Sequence, residues 1–147
     1  MLDKSKIGHE FEPVTFRVDE GRLRFFAKAI GETDPIHFDE AAAKAAGHPG
    51  LVAPPTFVGC LEMDKPDPFE MVTLVGGDMK KALHGNQTFV YHHPVYAGDH
   101  ITYKSRVKDI YDKKGGALEF IDVETDAVNQ DGTLTAVIGQ TVVIRNS

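Results

Sequence analysis

The chain has 147 residues, of which 41% are hydrophobic and 26% are charged, and its net charge is −6. This length and balance predict one folded domain over residues 1–147. The negative charge argues against nucleic acid as the main partner, because phosphate binding needs a basic surface. A single cysteine, Cys60, excludes an internal disulfide, and residues 1–13 hold no apolar signal segment. We therefore expect a cytoplasmic protein without a membrane segment.

The first third of the sequence predicts a strand and then a helix. Residues 11–19 suit a short strand, and Asp19 suits the N-cap of the helix that follows. One apolar stripe at helical spacing defines this helix: Leu23, Phe26, Ala27 and Ile30. Gly31 stands where a glycine in the left-handed conformation would end it.

Two further helices are predicted before the pattern changes. Residues 40–47 form an alanine-rich helix with Asp39 as its N-cap. Residues 56–63 form an apolar helix that follows a double proline, since proline is tolerated in the first turn. We expect this third helix to lie in the concave face of a twisted sheet.

The second half of the sequence predicts antiparallel strands, because its apolar residues recur at every second position. Turn residues separate the strands at 112–116 and 129–132. Four strands are expected, at residues 86–95, 100–110, 117–128 and 133–145. Helices followed by a run of strands indicate an α+β fold.

The segment GETDPIHFD, residues 31–39, is the strongest candidate for chemistry. It places His37 among several carboxylates, and Pro35 stiffens the turn. Such a turn is either a solvated connection or a general acid–base site. Asp39 is explained as a helix cap, which leaves Glu32 and Asp34 as partners for His37. Glu32 follows a helix C-terminus, where negative charge is disfavoured, so it has no evident structural reason to be there.

Other kinds of site find less support in the sequence. His92 and His93 are adjacent, and neighbouring residues of a strand point to opposite faces, so no metal site is expected. There is no glycine-rich phosphate loop, and no cofactor is expected. Cys60 suits packing in the apolar helix. Glu62 lies on that same helix, where it either reaches solvent from the helix end or acts as a catalytic acid.

Three segments carry a resemblance to a known family: GETDPIHFDEAAAKAAG, GLVAPPTF and HPVYAGDHITYKSRV. Together they resemble the MaoC-like hydratases and dehydratases, and in particular their N-terminal MaoC-like (FAS1-like) dehydratase branch. The resemblance implies a hotdog fold, an antiparallel sheet wrapped around a central helix. It also implies a homodimer, or a heterodimer with a related hotdog subunit.

The resemblance further implies hydration or dehydration of an enoyl or 3-hydroxyacyl thioester, carried by CoA or an acyl carrier protein. The catalytic pair of the (R)-specific enoyl-CoA hydratases then falls on Glu32 and His37, with glutamate in place of the family's aspartate. Asp34, Thr56 and Phe57 are the implied substrate-binding residues. No cofactor or metal is implied.

Two alternatives remain open at this stage. Some members of the branch are non-catalytic, acyl-binding halves of a heterodimeric dehydratase. A hotdog thioesterase would instead use an acid on the central helix, here Glu62. The active hydratases carry a glycine near the start of that helix, where this chain has Pro54 and Pro55. The first free backbone donor is then Thr56, because proline has no N–H.

Overall fold

The computed structural model describes residues 1–146 and confirms the predicted α+β architecture. Five strands form one antiparallel sheet in the order β1-β3-β4-β5-β2. The strands are β1 (Val14–Arg17), β2 (Ala82–Tyr91), β3 (His100–Lys113), β4 (Leu118–Val128) and β5 (Leu134–Arg145). The helices are α1 (Glu20–Ala29), α2 (Glu40–Ala45), α3 (Phe57–Glu62) and α4 (Glu70–Leu74). None of the helices within residues 1–146 is both long and apolar enough to cross a membrane.

The caps predicted for α1 and α2 are present. The Asp19 side chain accepts a hydrogen bond from the Arg22 amide, and the Asp39 side chain accepts one from the Ala41 amide. Gly31 adopts a positive φ of 78°, as expected of a glycine that ends a helix. These local signals therefore placed both helices to within a residue or two.

The central helix α3 packs on the inner face of the sheet, as predicted. Phe57, Val58 and Leu61 are almost fully buried in one apolar cluster with inward-facing residues of the sheet, which include Tyr103 and Ile138. The Tyr103 hydroxyl donates to the Val58 carbonyl at 2.7 Å, which ties the helix to the sheet. A second apolar cluster lies beneath α4 and fills the other end of the sheet.

Four elements differ from prediction, and the first is β1, which covers Val14–Arg17 rather than residues 11–19. Strand β2 covers Ala82–Tyr91 rather than 86–95, and β3 extends to Lys113, into the predicted turn. The early residues of β2 lack alternation because it is an edge strand with both faces largely exposed. Helix α4 was not predicted, since its five residues are too few to show a helical period.

Candidate active site

A cavity of about 540 Å³ lies beside the N-terminal end of α3. Its walls come from residues 52–55, which lead into α3, from residues 91–95 after β2, and from the start of β5. Of the predicted segment 31–39, Ile36 and His37 lie in the wall, whereas Glu32 is not among the residues that line the cavity.

Glu32 is positioned by the way α1 ends. The Gly31 amide donates to the Lys28 carbonyl at 3.1 Å, and the Glu32 amide donates to the Ala27 carbonyl at 2.9 Å. This pair of bonds is the Schellman motif, which requires a left-handed residue at Gly31. The helix ending therefore fixes the backbone of Glu32.

His37 is positioned by a short 3₁₀ turn, Pro35–His37, and by a neighbouring segment. The Asp34 side chain caps this turn by accepting from the Ile36 amide at 3.1 Å. The Val52 amide donates to the Ile36 carbonyl, and the Val52 carbonyl lies 2.6 Å from His37 Nδ1. A carbonyl only accepts, so Nδ1 carries a proton and Nε2 of the neutral ring is the acceptor.

The free nitrogen of His37 faces Glu32. The distance from Nε2 to Glu32 Oε2 is 3.9 Å, which is too long for a hydrogen bond but short enough for one water oxygen to contact both atoms. The His37 side chain is 8% exposed and that of Glu32 is 32% exposed. The imidazole is thus held in a largely dry wall while the carboxylate reaches solvent.

The three predicted substrate-binding residues occupy different environments. Asp34 is exposed and engaged as the cap of the 3₁₀ turn. Thr56 is exposed at the start of α3, and its side chain makes no capping bond. The Phe57 ring lies in the core, at 5.4 Å from the Phe26 ring, and is not among the residues that line the cavity. Phe57 therefore supports the site from behind.

Two backbone donors near the cavity are uncommitted. The amides of Thr56 and Val58 meet no acceptor among the residues that the structure describes. Val58 lines the cavity wall. These amides are available to an oxygen atom bound there.

The adjacent histidines do not lie in a strand. The amides of His92 and His93 both donate to the Thr135 carbonyl, at 2.9 and 3.1 Å, because the chain bends after Tyr91. Both residues line the cavity, so the expectation that they face opposite sides of the sheet is wrong. Within residues 1–146, no group of three or more His, Cys, Asp or Glu residues could hold a metal ion.

Glu62 belongs to a separate polar cluster between α3 and the sheet. Its Oε1 accepts from Lys65 Nζ at 2.9 Å, from Thr125 Oγ1 at 3.0 Å and from Ser105 Oγ at 3.4 Å. Glu62 is not among the residues that line the cavity. A carboxylate bound by three donors has a structural reason to be on this helix, which weakens the thioesterase alternative.

Comparison with solved structures identifies the fold class of the protein. A solved "MaoC-like dehydratase" superposes with a TM-score of 0.83 at 26% identity, over 97% of this chain and 43% of that one. A chain of the HadBC (3R-hydroxyacyl-ACP dehydratase) complex from Mycobacterium tuberculosis superposes with a TM-score of 0.79 at 28% identity, over 94% of this chain and 96% of that one. The protein has the hotdog fold of dehydratases and hydratases.

The family follows from the sequence comparison. Residues 5–137 match the model of the FAS1-like dehydratase domain region, and the chain belongs to this family. A UPF0336 protein of Saccharopolyspora erythraea is 35% identical over 99% of this chain and 93% of that protein. The predicted family is therefore confirmed.

Proposed function

We propose that the protein is an (R)-specific enoyl thioester hydratase, and in reverse a 3-hydroxyacyl dehydratase, with a catalytic pair in which His37 is the acid–base group and Glu32 is its carboxylate partner. The observation that supports this most is the placement of His37. Its Nδ1 is bound to the Val52 carbonyl, and its Nε2 faces Glu32 across 3.9 Å at the wall of an apolar cavity.

In this proposal one water lies between His37 Nε2 and the Glu32 carboxylate. Nε2 takes a proton from the water as its oxygen bonds to the β-carbon of the enoyl thioester. The imidazolium then returns that proton to the α-carbon, so the elements of one water are added across the double bond. The Glu32 carboxylate orients the water and stabilises the imidazolium.

The thioester oxygen becomes negatively charged as the β-carbon is attacked. The uncommitted amides of Thr56 and Val58 are the proposed donors to this oxygen. Pro54 and Pro55 cannot contribute, because proline has no N–H. The proposed role of Asp34 is to hold the turn that carries His37, through its cap on Ile36.

The proposed assembly is a homodimer, or a heterodimer with a related hotdog subunit. Strand β2 lies at one edge of the sheet, and its Leu83, Val90 and Tyr91 side chains are about half exposed. An exposed edge strand with apolar side chains is suited to pairing with another strand. Sedimentation analysis of the purified chain would measure the assembly directly.

A non-catalytic role within a heterodimer is the second candidate. The solved HadBC dehydratase is a complex, which supports an assembly of different hotdog subunits. For both candidates, the proposed ligand is an acyl thioester of CoA or of an acyl carrier protein.

The test is turnover of crotonyl-CoA by the purified chain, followed at the absorbance of the enoyl thioester. His37→Asn is the sharpest variant, since asparagine keeps a donor near Nδ1 for the Val52 carbonyl but lacks Nε2. We expect a loss of about 100-fold or more for His37→Asn and for Glu32→Gln. Glu40→Gln is the matched control, because Glu40 is exposed and paired with Lys44.

The outcomes separate the candidates. Turnover that falls in both site variants but not in Glu40→Gln supports the acid–base pair, and chiral analysis of the product tests the (R) configuration. Turnover that appears only when a co-encoded hotdog partner is added supports the non-catalytic role. Turnover that is unchanged in His37→Asn contradicts the proposed mechanism.

A further inference from the structure

The depth of the cavity beside α3 limits the length of the acyl chain that it can hold. If the thioester group lies near Glu32 and His37, the acyl chain must enter the apolar part of the cavity. From there the apolar surface continues into the interface between α3 and the inner face of the sheet. Whether this interface is open determines the substrate class.

Two stacked aromatic rings stand at this boundary. The Tyr91 ring lines the cavity, and the Phe89 ring lies parallel to it, with 5.6 Å between centroids and 3° between planes. Both side chains belong to β2, two residues apart, and so share the inner face of the sheet. Tyr91 is about half exposed, whereas Phe89 is not among the residues that line the cavity and packs instead against the apolar cluster that includes α3.

The Phe89 ring reaches the backbone of the central helix at Gly59. A Cβ atom added to Gly59 would lie 2.9 Å from Phe89 Cζ and 3.0 Å from Cε1. The ring therefore already touches the helix at this glycine, and no methyl group fits between them. Only glycine lets the aromatic ring come this close to the helix.

A second contact holds α3 against the inner face of the sheet. The Tyr103 hydroxyl donates to the Val58 carbonyl at 2.7 Å, and Tyr103 is only 1% exposed. Ile138, which is directly opposite Phe89 in the β2–β5 pairing, is also 1% exposed. The space beneath α3 is thus filled by side chains of the protein itself.

We propose that the Phe89–Tyr91 stack, seated on Gly59, is the inner end of the acyl-binding cavity and restricts the protein to short-chain acyl thioesters. The proposal rests on the proposed function for the identity of the thioester. It assigns Phe89 as the residue that determines chain length. The ring acts as a steric boundary, away from the reacting atoms.

The experiment compares crotonyl-CoA with decenoyl-CoA in the wild type and in Phe89→Ala. The wild type is expected to favour crotonyl-CoA in kcat/KM. Removing the ring opens the interface, and each methylene that becomes buried is worth about 4-fold. The ratio of decenoyl to crotonyl kcat/KM should therefore rise by about 10-fold or more in Phe89→Ala. A wild type that accepts decenoyl-CoA equally well, or a ratio unchanged in the variant, overturns the proposal.

Phe120→Ala is the matched control. Phe120 and Tyr111 form a second stacked pair, with 4.8 Å between centroids and 3° between planes, on the opposite face of the sheet. Loss of this ring removes similar aromatic packing from the sheet but opens no path beneath α3. The chain-length ratio should not change. If Phe89→Ala fails to fold, Phe89→Leu removes the outer part of the ring at lower cost and is measured in the same way.

A second variant tests the contact with the helix. Gly59→Ala should lower the thermal unfolding temperature of the wild type, because its methyl group meets the Phe89 ring. The same substitution should be tolerated in the Phe89→Ala background, where the ring is absent. Equal effects in both backgrounds would show that the ring does not rest on Gly59, and would overturn the proposed boundary.

Binding measurements keep this inference separate from the proposed function. If no enoyl thioester is turned over, butyryl-CoA and decanoyl-CoA are compared by calorimetry in the wild type and Phe89→Ala. A decanoyl-to-butyryl affinity ratio that rises in the variant upholds the boundary although the hydratase proposal has failed. A ratio that stays constant overturns the boundary, and absence of binding of either thioester overturns both.

Discussion

Replacing Glu62 with leucine is expected to destabilise the fold by about 2–3 kcal/mol, because hydrogen bonds to a charged acceptor and a partly buried ion pair are both lost. Glu62 accepts from Lys65, Thr125 and Ser105 between α3 and the sheet. The side chains of Glu62 and Lys65 are 17% and 11% exposed. Leucine removes the carboxylate and leaves the ammonium with Ser105 Oγ, 3.1 Å away, as its remaining partner.

The neighbouring hydroxyls limit the loss. Thr125 Oγ1 lies 2.9 Å from Ser105 Oγ as well as 3.0 Å from the carboxylate, so its single proton has another acceptor in the variant. The ammonium of Lys65 accounts for most of the cost. Replacing Lys65 with methionine in the Glu62→Leu background removes this stranded charge, and the double variant should be near the wild type in stability.

The assay is urea unfolding of the wild type, the two single variants and the double variant. Because the double variant should be near the wild type, the coupling free energy equals the sum of the two single losses and should be at least about 2–3 kcal/mol, with no change in the urea dependence. A double variant as unstable as Glu62→Leu would refute the reasoning, since the loss would then not come from the ion pair. Hydratase turnover, corrected for the folded fraction, should be retained in Glu62→Leu. If Glu62 were instead the catalytic acid of a thioesterase, its replacement would abolish thioester hydrolysis.

Three further predictions concern other parts of the chain. Glu32→Asp shortens the side chain by one methylene and widens the 3.9 Å gap to His37, so kcat should fall by about 10- to 100-fold in the crotonyl-CoA assay. A hydrogen bond from Lys108 lowers the pKa of Glu124, so Glu124→Gln should cost up to about 1 kcal/mol by urea unfolding near neutral pH. The pKa of Glu124 is lower in the folded state than in the unfolded state. The stability difference between wild type and variant should therefore persist at pH values above the unfolded-state pKa and vanish as the pH falls through the folded-state pKa. Asp39→Ala removes a helix cap and should cost about 1 kcal/mol in thermal or urea unfolding, whatever its effect on turnover.

The sequence predicted best those elements whose signals are local. Helix α1 carries its apolar stripe, its cap and its terminal glycine within about a dozen residues, and strands β3 to β5 alternate clearly. The family resemblance added the hotdog topology, which no local signal contains. The start of β2 and the whole of α4 were missed because both are short of periodic apolar residues.

The candidate site also combines features that local sequence predicted with features that it could not predict. Segment 31–39 was found from its residue types, and the structure brings Glu32 and His37 to within 3.9 Å. The Val52 carbonyl that orients the imidazole was not predicted, since a backbone acceptor far along the chain has no sequence signature. The bend at His92 was also missed, because it depends on hydrogen bonds to the Thr135 carbonyl of β5, far along the chain.

The geometry also bears on the substitution of glutamate for aspartate. Glu32 is held by the Schellman ending of α1, and His37 by a separate 3₁₀ turn that Asp34 caps. The backbones of the two residues are therefore fixed by different local structures. The His37 ring is bound to the Val52 carbonyl, so rotation of this ring cannot adjust the distance between Nε2 and the Glu32 carboxylate. With the ring fixed, the length and the rotamer of the side chain at position 32 set the gap. The longer glutamate side chain leaves 3.9 Å, enough for one bridging water, and this is the physical reason to expect that the altered pair can still catalyse hydration.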